Sequence, residues 1–151
     1  MNMYVSSAKY RDACESGKVI YSSFYRTLLL LNKVLLKKID LKNYFNKYEI
    51  HKFILCGCND VTELFLELCN EYKLEPSFLI DDNPKKNRKK YNKYDIYNYE
   101  MLLEKENVDL IIVMSNYNFI EIAEKIHNYG IKYSKIISIE ELLANIICCS
   151  N

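Results

Sequence analysis

Glycine is scarce in this sequence, with three residues in 151. A dinucleotide-binding turn between a strand and a helix usually carries three glycines: one for the tight turn, one for the approach of the pyrophosphate and one for helix packing. The turn at residues 57–62, GCNDVT, keeps only the first as Gly57, and Asn59 and Thr62 stand in the other two places. The missing glycines weaken the prediction of a dinucleotide site but leave the scaffold of one.

An excess of charge is also absent, since 21 basic and 20 acidic residues give a formal net charge of +1. Nucleic-acid-binding domains usually carry a strongly basic surface, so we expect no nucleic-acid partner. Half of the residues are hydrophobic and 27% are charged, which is typical of a folded domain. The length suits one domain of ordinary size.

The sequence shows neither a disulfide framework nor a secretory signal, so we expect a cytoplasmic protein with reduced thiols. Its longest apolar run, Thr27–Leu36, is interrupted by Asn32 and Lys33 and is too short to span a bilayer. We therefore expect no association with membranes. The six cysteines are scattered along the chain: Cys14, Cys56, Cys58, Cys69, Cys148 and Cys149.

Residues 1–50 are predicted to form a helical segment. Phe24, Leu28, Leu31 and Leu35 recur at helical spacing and form a wide apolar stripe that something must cover. The stripe could pack on the rest of the chain, on its copy in a homodimer, on a partner enzyme, or, as a basic amphipathic helix, on a membrane surface. We expect a homodimer or a partner enzyme to dock through this segment.

Residues 51–151 alternate between apolar strands and amphipathic helices. Strands that are apolar throughout, separated by helices, are typical of a parallel sheet covered on both faces. The sequence therefore predicts an α/β fold, a small Rossmann-like domain preceded by the helical segment. The predicted strands lie in KFILCG, EPSFLID, the start of IYNYEMLLEKEN, VDLIIVMS and SKIISI, and the stretch 83–93 between the second and third is predicted as an irregular polar loop.

Three of the predicted loops meet at one edge of this sheet. In open parallel sheets, ligands bind beyond the carboxyl ends of the strands, where the strand order reverses. Residues 57–60, Asp81, Asp82 and residues 115–118 all follow strands and should converge there. The predicted helix after Gly57 would offer free N–H groups to a phosphate, with Asn59 or Asp60 as its cap, although Asp60 would repel an anion.

Asp81 lies 24 positions after Gly57 (81 minus 57), at the end of the second predicted strand. An acidic residue at about this distance can accept hydrogen bonds from a ribose. The alternative is a carboxylate that only caps the turn before Pro84. For Asp82, that capping role is the expected one.

Self-sufficient catalysis is not predicted. Cys56 and Cys58 have no partners in the sequence that would complete a zinc site, so no metal is expected. His127 falls late in a predicted helix, and no Ser/His/Asp set occurs. The basic stretch 85–90 is either a solvated loop or a phosphate clamp.

Two segments, FLIDDNPKKNRKK and DLIIVMSNYN, carry a family resemblance. Together with the turn at Gly57, they resemble a small Rossmann-like domain of bacterial polysaccharide and sugar-nucleotide pathways. That domain forms the N-terminal part of sugar O-acyltransferases and is appended to some methyltransferases. The resemblance implies a nucleotide-sugar ligand, with Gly57, Asp81, Asp82, Ser115 and Asn116 at the positions of the family's site.

Three functions remain open. The first is a non-catalytic, nucleotide-sugar-binding accessory domain: the backbone of residues 57–60, Cys58 included, would hold the phosphates, Asp81 the ribose, and Ser115 and Asn116 the far wall. The second is a ligand-free interaction or oligomerisation module on the same scaffold. The third is a fragment of an NAD-dependent oxidoreductase, for which no substrate domain is in view.

Overall fold

The computed structural model describes residues 3–83, 90–91, 93–104 and 108–150, with side chains for all of these except 3–16 and 90. Two N-terminal helices are followed by six strands and four further α-helices within the described residues. The elements are α1 Met3–Leu36, α2 Leu41–Lys47, β1 Phe53–Cys56, α3 Asp60–Glu71, β2 Leu79–Ile80, β3 Lys90–Tyr91, β4 Tyr94–Tyr97, α4 Met101–Glu104, β5 Leu110–Val113, α5 Phe119–Asn128, β6 Ile136–Ser138 and α6 Ile139–Cys149.

The strands form one sheet in the order β3-β4-β2-β1-β5-β6. Five strands are parallel, and β1 pairs with β5 on one side and β2 on the other. The order therefore reverses between β1 and β5, where the sequence predicts it. All four residues of β1 and of β5 are buried, which explains why both read as continuous apolar runs.

The edge strand β3 was not predicted. Lys90 pairs with Asp95 and Tyr91 with Tyr94, so the end of the predicted polar loop returns as a short antiparallel strand. A two-residue strand has no period that a sequence pattern could show. The basic residues 84–89, a possible phosphate clamp, lie outside the described part of the chain.

Helices cover both faces of the sheet, which confirms the predicted α/β class. One face packs against α1, α2, α3 and α6, with Phe45, Phe65 and Ile146 in its core. The other packs against α4 and α5, with Leu102 and Ile126 in its core. The two N-terminal helices share the first of these cores, and the boundary near residue 50 stays a prediction.

Helix α1 confirms the predicted helix, but the predicted apolar stripe is wrong in part. Leu31 and Val34 are buried, whereas Leu35 is 56% exposed. The buried face also contains Ser23 and Thr27, and the Thr27 hydroxyl donates to the Ser23 backbone carbonyl at 3.2 Å inside the helix. A hydroxyl that bonds a backbone carbonyl can be buried without an apolar signal in the sequence.

Candidate functional site

The turn between β1 and α3 is tight because Gly57 adopts a φ of +105°. Glycine reaches this region without the steric cost that a Cβ imposes. The Gly57 N–H donates to the Ile80 carbonyl at 2.7 Å, which fixes the turn against the end of β2. The first glycine of the sequence pattern therefore performs the backbone role that the pattern assigns to it.

Asn59 is the N-cap of α3, as the sequence predicts for either Asn59 or Asp60. Its Oδ1 accepts from the N–H groups of Val61 at 3.0 Å and Thr62 at 3.2 Å. Its Nδ2 donates to the Met114 carbonyl at 3.0 Å, at the end of β5. The side chain that replaces the second glycine thus occupies the helix N-terminus and ties it to the neighbouring strand.

Thr62, which replaces the third glycine, is fully buried and closes a capping box. Its hydroxyl donates to the Gly57 carbonyl at 2.6 Å and accepts from the Asn59 N–H at 3.2 Å. The Asn59 carbonyl in turn accepts from the Glu63 N–H. Together these bonds give the amides of residues 57–59 and 61–63 acceptors within the chain, so a phosphate would have to replace them.

Asp81 is 7% exposed and already has backbone partners. Its Oδ2 accepts from the Cys58 N–H at 2.8 Å, and its Oδ1 from the Asn83 N–H at 2.9 Å. This is the turn-capping alternative of the sequence analysis, and it links the end of β2 to the turn after β1. A role of Asp81 in binding a ribose stays a prediction.

An open cleft of about 270 Å³ lies beside this turn, on the side of α5. It is bounded by the ends of β1, β2 and β5, at the point where the strand order reverses. Ligands of open α/β sheets bind at this location. The lining residues come from four parts of the chain: Cys56, Gly57, Cys58, Asn59, Asp81, Asp82, Tyr99, Ser115, Asn118, Glu121, Ile122 and Lys125.

Among the described residues, the charges of the cleft are mainly negative. Asp81, Asp82 and Glu121 face one described basic residue, Lys125, whose ammonium lies 3.3 Å from the Asp82 carboxylate. The same ammonium lies 4.4 Å from the centre of the Tyr99 ring, in cation–π geometry. Carboxylates accept hydrogen bonds from hydroxyl groups but repel phosphates, so the cleft favours the hydroxyl-bearing part of a ligand.

The wall behind these charges is buried and neutral. The Cys56 thiol lies 3.3 Å from the Tyr99 hydroxyl. Burial raises the pKa of the Cys56 thiol to about 12, and burial also raises the pKa of the Tyr99 hydroxyl. Both groups therefore stay protonated at neutral pH, and neither is prepared to act as a nucleophile or base.

Asn118 contrasts with Asn59, although both are N-cap residues. Asn118 precedes α5 and makes no side-chain capping bond in the described structure, and it lines the cleft. Its amide can therefore face a ligand without losing a structural role. Asn59 also borders the cleft, but three bonds hold its side chain.

The predicted site residues are partly brought together. Gly57, Cys58, Asn59, Asp81, Asp82 and Ser115 line the cleft. Asp60 is exposed in the first turn of α3 and is not among the described lining residues.

The Asn116 side chain does not face the cleft but contacts the N-terminal helix α1. Its Nδ2 donates to the Thr27 hydroxyl at 3.0 Å and to the Glu140 carboxylate at 2.6 Å. Its Oδ1 is buried without a partner among the described residues. The bonds of Asn116 therefore connect the end of β5 to α1 and α6 rather than to the cleft.

The sequence places Asn118 at this edge, in the loop 115–118, but gives no role to the following helix α5. Glu121, Ile122 and Lys125 fall at i+3, i+4 and i+7 from Asn118, so they share one face of the helix with it. That spacing, directly after the strand at the reversal point, was the signal that could have found them. Tyr99 had no such signal, since it follows β4 in a turn.

Among the described residues, no group of three or more His, Cys, Asp or Glu side chains could hold a metal ion. One helical stretch, Gly17–Leu36 in α1, has the length and composition of a membrane span, and 17% of it is buried.

Comparison with known proteins gives one family. No curated protein matches the sequence. A solved structure that matches, the UDP-D-quinovosamine 4-dehydrogenase from Vibrio fischeri, has 19% sequence identity and a TM-score of 0.46, over 66% of this chain and 86% of that one. An identity this low says nothing about the ligand. The pattern of the family described as C2185-like, N-terminal, matches residues 49–137, more than half of the sequence, and the chain belongs to that family.

Proposed function

We propose that this protein binds the hydroxyl-bearing part of a nucleotide sugar in the cleft beside Gly57, as a non-catalytic accessory domain of sugar-nucleotide metabolism. The observation that supports this is the open cleft at the reversal of strand order, with carboxylates and an unengaged Asn118 amide on its walls. Vicinal hydroxyl groups, on a ribose or a hexose, match acceptors such as Asp82 and Glu121.

The phosphates of the ligand would not lie at the N-terminus of α3. Asn59 already accepts from the N–H groups of Val61 and Thr62, and Asp81 accepts from the Cys58 N–H. The phosphates would extend towards Lys125, the basic residue of the described cleft. This arrangement differs from a dinucleotide site, where the pyrophosphate lies on the helix N-terminus.

Thermal unfolding with a panel of UDP-, GDP- and dTDP-linked sugars, free nucleotides and NAD tests the proposal. A ligand at 100 times its dissociation constant stabilises the folded state by about 2.7 kcal/mol. We expect a nucleotide sugar to raise the midpoint, and Ser115→Tyr, which fills the cleft, or Asp82→Asn to abolish the rise. Asp95→Asn, an exposed aspartate on β4 outside the cleft, is the matched control and should bind as the wild type does.

The second candidate is a ligand-free interaction module, and the engaged amides of residues 57–59 and 61–63 favour it. A turn whose donors are satisfied within the chain needs no ligand to be stable. If no member of the panel changes the midpoint, the nucleotide-sugar proposal is wrong and this candidate replaces it. If NAD alone raises the midpoint, the oxidoreductase alternative replaces both.

A further inference from the structure

A second, apolar groove lies between α1 and α3 and shares no lining residue with the cleft. It has a volume of about 730 Å³, and its floor is apolar, with Leu28, Leu31, Leu35 and Leu68 among the lining side chains. Leu35 is 56% exposed and Leu64, also on the groove, is 43% exposed. Exposed leucines side by side along a groove are typical of an interaction surface.

Helix α1 also has a stretch that is exposed on all sides, directly before it reaches the core at Ser23. All five residues from Lys18 to Ser22 are exposed, and five successive residues cover more than one full helical turn. Val19, Ile20 and Tyr21 are 56%, 45% and 77% exposed. An isolated helix is marginally stable in water, so an exposed apolar helix is best stabilised by a partner.

The charges along the groove indicate what the partner is. Its α3 side carries exposed carboxylates at Glu67 and Glu71, and its α1 side carries an exposed lysine at Lys38. Within the described residues, no ion pair joins these two sides of one copy. A two-fold axis places the lysine side of each copy against the carboxylate side of the other, so the surface is complementary to itself.

A bilayer fits this surface less well, although Gly17–Leu36 has the composition of a membrane span. Leu31 and Val34, inside that stretch, are 4% and 0% exposed in the main core, and insertion would remove them from it. The carboxylates of α3 would face anionic headgroups and be repelled. The groove therefore suits a folded partner that carries both charges.

We propose that the groove between α1 and α3 is the interface of a homodimer, in which each copy places its α1 against the α3 of the other. This inference does not rest on ligand binding in the cleft. Light scattering after size exclusion should give twice the chain mass of 18.0 kDa for the whole protein. A monomer at concentrations of about 100 μM would overturn the proposal, since stable dimers bind more tightly than that.

Substitutions on the groove locate the interface. Leu35→Glu and Leu64→Glu should each weaken dimerisation by at least about tenfold, because each places a carboxylate in a desolvated apolar contact. Ile120→Glu is the matched control: Ile120 is 74% exposed on α5, and its dimer should be unchanged. Both groove variants should stay folded by circular dichroism, because their side chains are exposed in the monomer. A dimer that survives both substitutions would overturn the proposal.

A charge exchange tests the pairing of the two copies. Glu67→Lys should weaken the dimer, and the addition of Lys38→Glu should restore part of the loss, because each interface then again pairs opposite charges. An additive loss in the double variant would contradict the pairing. Sedimentation with vesicles of phosphatidylglycerol tests the membrane alternative. If the wild-type protein binds the vesicles as a monomer, the homodimer proposal is wrong and the groove binds a bilayer.

Discussion

Two regions at the same edge of the sheet differ in what their polar groups contact. At the turn before α3, the Asn59 side chain accepts two helix amides and donates to the end of β5. In the neighbouring cleft, Asn118 occupies the corresponding position before α5 but makes no side-chain cap. The position of a residue in the Rossmann scaffold therefore does not decide whether it is available to a ligand; the partners of its side chain do.

The largest expected effect is at Asp81, where Asp81→Ala should lower the free energy of unfolding by about 3 kcal/mol. The substitution leaves the Cys58 N–H without its charged acceptor inside the turn. Asp82→Ala, next to it in sequence but exposed and paired with a surface lysine, should cost about 0.5 kcal/mol or less. Urea unfolding measures both, and equal losses would contradict the structural role of Asp81.

The two N-cap asparagines offer the sharpest comparison. Asn59→Ala should cost about 1–2 kcal/mol, because it removes the cap and the bond to the Met114 carbonyl. Asn118→Ala should cost only a few tenths of a kcal/mol, because no capping bond is lost. Ligand binding should show the opposite order: Asn118→Ala should weaken binding more than Asn59→Ala does. A larger loss of stability in Asn118→Ala than in Asn59→Ala would contradict the different roles of the two N-cap residues.

Gly57→Ala should cost about 1 kcal/mol, from its backbone alone. The φ of +105° is unfavourable for any residue with a Cβ, but an added Cβ would lie 3.7 Å from the Met114 Cβ and 3.9 Å from the Asn59 Nδ2, in ordinary contact. Gly130→Ala is the control, because its φ is +91° and nothing lies within 4 Å of the added Cβ. Similar losses in thermal unfolding would confirm a backbone cost, and a much larger loss at Gly57 would indicate tight packing at the turn.

Asp109 repeats the bonding of Asp81 at the opposite edge of the sheet, in a more exposed setting. Its Oδ2 accepts from the N–H groups of His51 at 2.9 Å and Lys52 at 2.8 Å, and these bonds, that of Lys52 first, lower the pKa of the carboxyl. A lowered pKa stabilises the fold above the ordinary value of 3.8, and the contribution is lost as pH falls through the lowered value.

The expected effect of Asp109→Asn is therefore the smallest of this series. It should flatten part of the fall in unfolding midpoint as the pH drops from neutral to below the ordinary carboxyl pKa of 3.8, and its effect on the midpoint should shrink as the pH falls. Thermal unfolding across that range measures it. A fall that is as steep in the variant as in the wild type would show that other carboxyls cause the acid sensitivity.

The sequence predicts the fold well because its main signals are local. Continuous apolar strands such as LIIV at Leu110–Val113 and the amphipathic α5 can be recognised within short windows. The predicted stripe on α1 is wrong in part because the buried face includes Thr27, whose hydroxyl accepts a hydrogen bond from Asn116, 89 residues away in sequence. The antiparallel strand β3 was not predicted because two residues are too few to show a periodic pattern.

The sequence predicts where the candidate site lies, but not which of its polar groups are already hydrogen-bonded within the chain. Gly57, Asp81 and Ser115 converge on one edge, as the carboxyl ends of parallel strands require. The polar groups of the turn are bonded within the chain through contacts that are distant in sequence. Asn59 donates to Met114, 55 residues away, and Asp81 accepts from Cys58. No spacing rule gives the partner of a side chain across the sheet.

A titration of the ¹⁵N-labelled protein with a nucleotide sugar, followed by two-dimensional NMR, tests the central claim most directly. We predict shifts at the amides of Asp82, Ser115, Glu121 and Lys125 and at the side-chain amide of Asn118. The amides of Val61 and Thr62 should remain in place, because Asn59 keeps them bonded. Shifts confined to Val61 and Thr62, with the cleft signals unmoved, would contradict the account and place the ligand on the N-terminus of α3.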